Sequence, residues 1–120
     1  MSSQTEPLAN LVFLKTFSKG NKETEQKYIA IFLRNTPDLM EVLEKQIKQK
    51  DLPAVEITAH SLKAQFNFIG FTEGESCTRR IRAMAQERKN QDEIQHAINL
   101  LRDLCDVVYV ELKEKLRMPQ

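Results

Sequence analysis

The sequence predicts an all-α protein, an antiparallel up-down four-helix bundle with an additional short N-terminal helix or helices. Three observations lead there. Glycine and proline are scarce, at three and four of 120 residues, whereas an all-β chain needs turn residues roughly every 8–12 positions. Long stretches are rich in Leu, Glu, Lys, Gln, Ala and Arg, which lose little rotamer freedom in a helix. Apolar residues recur at spacings of three and four, the period of a helix with one buried face.

The elements follow in order. A first helix is expected over about residues 5–18, with Thr5 as N-cap, Pro7 in the first turn where its missing N–H costs nothing, and Gly20 and Asn21 as the stop. A second runs from near Thr24 to Asn35 with Tyr28, Ile31 and Phe32 inward. Thr36-Pro37 then reads as a break, the threonine capping and the proline opening a third helix that carries Leu39, Met40, Leu43 and Ile47 on one stripe and ends near Lys50. Asp51 caps the next helix, with Pro53 in its first turn, and Gly70 ends it after Ile69. A helix over about 71–88 has Glu73 and Glu75 early and Arg88-Lys89 late, a charge order that suits the helix dipole, although Gly74 weakens its first turn. The last helix, about 91–117, alternates four and three through Ile94, Ile98, Leu101, Cys105, Val108 and Leu112, a seam for antiparallel neighbours. Nothing in it is left over for a second copy, so a monomer is expected.

Composition bounds the rest. With 41% hydrophobic residues, the chain can build one core, and residues 1–120 read as a single domain. A net charge of +1 argues against a nucleic-acid binder and against anchoring on anionic lipid. No apolar run approaches the roughly 18 residues of a membrane helix. The opening MSSQTEPLAN has no basic segment followed by an apolar one, so a cytoplasmic protein is expected. Cys77 and Cys105 lie within apolar helical patterns without CxxC spacing and read as reduced core thiols. A Gly-rich phosphate loop is missing, so ATP chemistry by this chain is not expected.

The chemistry concentrates on the helix after Asp51. On a wheel of about 100° per residue, Val55, Ala59, Leu62, Phe66 and Ile69 form the core face, and His60 falls about 130° from its centre, in solvent. Lys63 and Ala64 flank His60 one turn on, with Glu56 and Asn67 on the same surface. A neutral imidazole is a good nucleophile near pH 7. A small neighbour such as Ala64 leaves it accessible, and a lysine ammonium can meet anionic oxygens on it. Ile57, Ala64 and Phe68 form a second apolar strip beside His60. The strip reads either as a docking surface or as residues packed under the N-terminal helices. His96, with no lysine or small residue in this pattern, reads as plain surface. A His60–His96 metal site has no supporting motif.

The stretch TAHSLKAQFNFIGF resembles the signature of histidine phosphotransfer (HPt) domains, His-x-x-Lys-Gly followed by a further glycine, which His60, Lys63 and Gly70 match. TPDLMEVLEKQIKQKD resembles the helix and acidic turn that precede the histidine helix in that family. The resemblance implies a phosphorelay carrier: His60 accepts a phosphoryl group from a receiver-domain aspartate, Lys63 neutralises its oxygens, and Gly70 shapes the hairpin. It implies response-regulator receivers and a hybrid sensor histidine kinase as partners. It implies no cofactor of the chain's own, the Mg²⁺ coming with the receiver. Glu56, Ile57, Ala64, Asn67 and Phe68 become the expected receiver-docking residues. Ala64 stands where the family usually has glycine. The family often places a polar residue on the following helix that orients the histidine ring. Ungapped counting puts Arg82 there, with Arg79 and Gln86 one turn away on either side as further phosphate or orientation candidates. Arg82 reads either as holding the phosphoryl group or receiver or as a solvated surface charge. A module that binds a receiver or kinase without carrying phosphate is the alternative.

Overall fold

A computed structural model describes residues 6–117, and the expected Thr5 cap lies outside them. The elements are α1 (Val12–Phe17), α2 (Lys22–Lys48), α3 (Leu52–Phe68), α4 (Thr72–Gln86) and α5 (Gln91–Arg117), with no strand among the described residues. Turns of a few residues leave successive long helices antiparallel. Each of α2 to α5 packs on its chain neighbour, and α5 closes the ring against α2. Val55, Leu62, Phe66, Ile81, Ile94, Ile98, Leu101 and Val108 are fully enclosed at the centre. Arg102 of α5 donates to Glu44 of α2 at 3.3 Å, tying the outer edge of that last seam.

The largest difference from expectation is at Thr36-Pro37. The chain does not break there: α2 continues for 27 residues with Pro37 inside it. The proline supplies no N–H and exposes its ring to solvent, while the hydroxyl of Thr36, itself buried, donates back to the Phe32 carbonyl at 2.8 Å. Thr36 therefore caps nothing. Ile29, Phe32, Met40, Leu43 and Ile47 bury one continuous stripe across the proline, and that burial outweighs the local signal. Ile29 takes the core position expected of Ile31, which is only half-buried.

The N-terminal helix is shorter than expected. Pro7 lies ahead of it, and α1 is a six-residue helix whose start is tied by the Asn10 side chain accepting from the Val12 N–H at 3.0 Å. Asn21, expected as part of a stop, is the N-cap of α2, accepting from the Thr24 N–H at 2.8 Å. Asp51 caps α3 as expected, accepting from Ala54 at 3.2 Å.

Helix ends share one device. After α2, α3 and α4 a residue with positive φ reverses the chain: Lys50 at 58°, Gly70 at 64° and Arg88 at 55°. Each donates to the carbonyl three residues back, and the next residue reaches back five, as Phe71 does to Phe66 at 2.9 Å. Arg88 and Lys89 thus belong to the turn and not to the last turn of α4. Gly74 is helical and buried, and a Cβ there would lie 2.6 Å from the Phe71 ring, so this glycine serves packing. Cys77 and Cys105 are buried free thiols. Three apolar residues of α5, Leu100, Val107 and Val110, are about half exposed or more, so its apolar set is not used up by the core seam.

Candidate functional site

The site is built on the outer face of α3. Val55, Ala59, Leu62 and Phe66 are each fully buried, which anchors the helix rotationally. His60, between them in sequence, is exposed, as are Ala64 and Asn67, while Lys63 and Glu56 are half-buried. An imidazole in the middle of a 17-residue helix with a fixed buried face has its backbone held, with only its side-chain torsions free.

Two hydrogen bonds set the register between α3 and its antiparallel partner α4. Gln86 Nε2 donates to Glu56 Oε1 at 2.9 Å, and Asn67 Nδ2 donates to Glu75 Oε1 at 3.3 Å. Four residues on from Glu56 is His60, and four back from Gln86 is Arg82, so these two stand level. By the same register Lys63 stands level with Arg79. Ungapped counting from the sequence arrives at the same register. The three candidates on α4 differ in their ties. Gln86 is engaged with Glu56. Arg79 is exposed and reaches only the Ser76 hydroxyl of its own helix at 3.5 Å. Arg82 is half-buried, and its Nε is enclosed without a hydrogen-bond partner. One flank of His60 therefore carries Lys63, Arg79 and Arg82, three side chains whose N–H groups suit anionic oxygens.

The other flank is apolar, and here the structure divides what the sequence had grouped. Ile57 is 69% exposed. Phe68 is not free: its ring packs against Phe13 at 5.5 Å, Phe17 at 5.3 Å and Tyr28 at 5.2 Å between centroids. Of the two readings of the strip, Phe68 follows the second and packs under the N-terminal helix, while Ile57 stays open. Phe13 and Phe17 are 52% and 50% exposed, with Val12 beside them at 66%. Sequence reasoning missed these three, although Phe13 and Phe17 stand at i, i+4 in a short helix, a spacing that puts two rings on one side. His96 is exposed on α5, as expected of a surface residue. No group of three or more His, Cys, Asp or Glu among the described residues could hold a metal ion. Nor is any described helix long and apolar enough to cross a membrane.

Comparison with known proteins adds one match. The sequence pattern of the Hpt domain matches residues 27–109, more than two thirds of the chain, from early α2 to late α5 and including His60. No curated protein and no solved structure matches.

Proposed function

The chain belongs to the Hpt domain family, and on that premise we propose that it is a phosphorelay carrier, taking a phosphoryl group from a receiver aspartate onto His60 and passing it to another receiver. The observation that carries the reading is His60 itself: exposed in mid-helix, with Ala64 one turn on and Lys63, Arg79 and Arg82 along one flank. In the transfer, the neutral imidazole nitrogen, Nε2 by family resemblance, attacks the phosphorus of the aspartyl phosphate. A P–N bond forms, the P–O bond to the aspartate breaks, and the aspartate leaves as a carboxylate. Return transfer to a second receiver reverses these steps. Lys63, Arg79 and Arg82 meet the charge that arrives with the phosphoryl group. The Mg²⁺ that such transfer uses would be held by the carboxylates of the receiver.

Docking would be small and reversible, because a carrier must release both partners. Ile57, Ala64 and the aromatic cluster over Phe68 would provide its apolar centre, and Glu56, Asn67 and Gln86 its polar edge. The donors upstream are receivers of hybrid sensor histidine kinases, and the compartment is the cytoplasm where they act. The chain would act as a monomer and consume no ATP. The test is transfer from a radiolabelled phospho-receiver. Acid-labile, base-stable label is expected on the unaltered chain and none on His60→Gln; equal labelling of both refutes the assignment. Binding of the receiver with no label on the unaltered chain would favour the module that docks without carrying phosphate, a reading for which Ala64, one methyl larger than the usual glycine, is the motive.

A further inference from the structure

The N-terminal arm is held by a carboxylate from the opposite end of the sequence. Glu111, on α5, accepts from the Leu8 N–H at 3.0 Å and 2.8 Å through its two oxygens, and from the Ala9 N–H at 3.1 Å. The next amide, Asn10, donates to the Ile69 carbonyl at 3.0 Å, where the α3–α4 turn passes. These amides precede α1 and belong to no helix, so they need acceptors from elsewhere. A six-residue helix is far below the length of roughly 12–15 residues at which isolated helices become even marginal in water. α1 exists because its leading end is tied and Leu14 is buried. What it presents is the Phe13–Phe17 pair, stacked at 6.3 Å, in contact with Phe68 and half open to solvent.

We propose that Glu111 is a positioning residue for receiver recognition: by clamping residues 8 and 9 it keeps Phe13 and Phe17 seated on Phe68, on the helix that carries His60. The inference rests on the carrier reading above. Neither end of the clamp lies within residues 27–109, so the family match does not account for it. Without Glu111 the arm frays, α1 keeps only Asn10 among the hydrogen-bonded ties described at its leading end, and the two rings leave Phe68. The receiver then meets a disordered apolar edge and must order it on binding.

The experiment compares the full chain with Glu111→Ala and Glu111→Gln. The glutamine keeps one acceptor oxygen and should act at an intermediate level. Amide exchange across residues 8–17 should accelerate in Glu111→Ala while the core amides of α3 and α5 stay protected. Affinity for a receiver domain should fall roughly tenfold, the order expected for loss of a charge-assisted backbone clamp, with the transfer KM rising and kcat within about twofold. Labelling of His60 by phosphoramidate, a small donor that does not dock, should be unchanged. In a Phe13→Ser/Phe17→Ser background, Glu111→Ala should have no further effect on affinity. Three results would overturn the proposal: arm exchange unchanged in Glu111→Ala, receiver affinity unchanged with the arm freed, or an equal loss in the Phe13→Ser/Phe17→Ser background. Failure of the unaltered chain to bind any receiver refutes the carrier reading itself, and this inference with it.

Discussion

Gly70→Ala separates backbone strain from a tertiary contact, because the chain contains its own control. Gly70 and Gly20 both occupy the left-handed region, at φ 64° and 78°. A Cβ at Gly20 meets nothing within 4 Å, so Gly20→Ala carries only the conformational cost, about 1–2 kcal/mol. A Cβ at Gly70 would sit 2.1 Å from the carbonyl oxygen of Asn10 and 2.9 Å from its carbon. That is a backbone atom, and the same residue is bonded to Ile69 at 3.0 Å, so no side-chain rotation relieves the overlap. The arm must move by an ångström or more, losing that hydrogen bond and straining the Glu111 clamp. Adding about 1 kcal/mol for the bond and a further one or so for lost packing puts Gly70→Ala at roughly 3–4 kcal/mol. Urea denaturation followed by far-ultraviolet circular dichroism reads this directly. With a slope of about 1–3 kcal/mol per molar, Gly70→Ala should lower the midpoint by on the order of 1 M or more, about twice the shift of Gly20→Ala. If the two variants lose the same stability within about 0.5 kcal/mol, the Asn10 contact yields freely and the anchored-arm argument fails.

Pro37→Ala should stabilise the chain by about 1–3 kcal/mol, since alanine restores an N–H at an exposed position inside α2; a lower urea midpoint would show that the proline sets a bend the bundle needs. Alkaline pH should destabilise the fold. Burial pushes the Cys105 thiol up to about 12 and raises Cys77 above 9.0, while in the unfolded chain both ionise near 9.0. Above that pH the unfolded state has shed protons that the folded state retains, so stability falls with rising pH, by about 1.4 kcal/mol per unit for each thiol still held neutral. Tyr109, also pushed up by burial, adds to the loss above its ordinary value of 10.0. Urea midpoints between pH 7 and 11 should be level to about pH 8 and then drop; a level profile to pH 11 would show that these groups are not enclosed.

Much of the site was legible because its signals are short-range. The buried face of α3 follows from apolar spacing alone, and with it the outward placement of His60. Asp51 and Gly70 bound the helix by capping chemistry within a few residues. A short turn constrains the register of a hairpin, which is why counting across Gly70 found Arg82 level with His60. At Pro37, in contrast, local chemistry pointed to a break, and a stripe of buried residues on both sides overrode it.

From the sequence by itself came the fold class, the core seam and the outward-facing histidine, all properties of one helix or one hairpin. The tertiary structure alone decided what surrounds that histidine: Phe68 covered by Phe13, Phe17 and Tyr28, and an arm fixed by a carboxylate 103 residues away. The reason is physical. Helix periodicity and caps are set by neighbours in the chain. A single hydrogen-bonding side chain that meets a non-helical backbone segment leaves no period or spacing in the sequence, and its partner exists only once the bundle has closed.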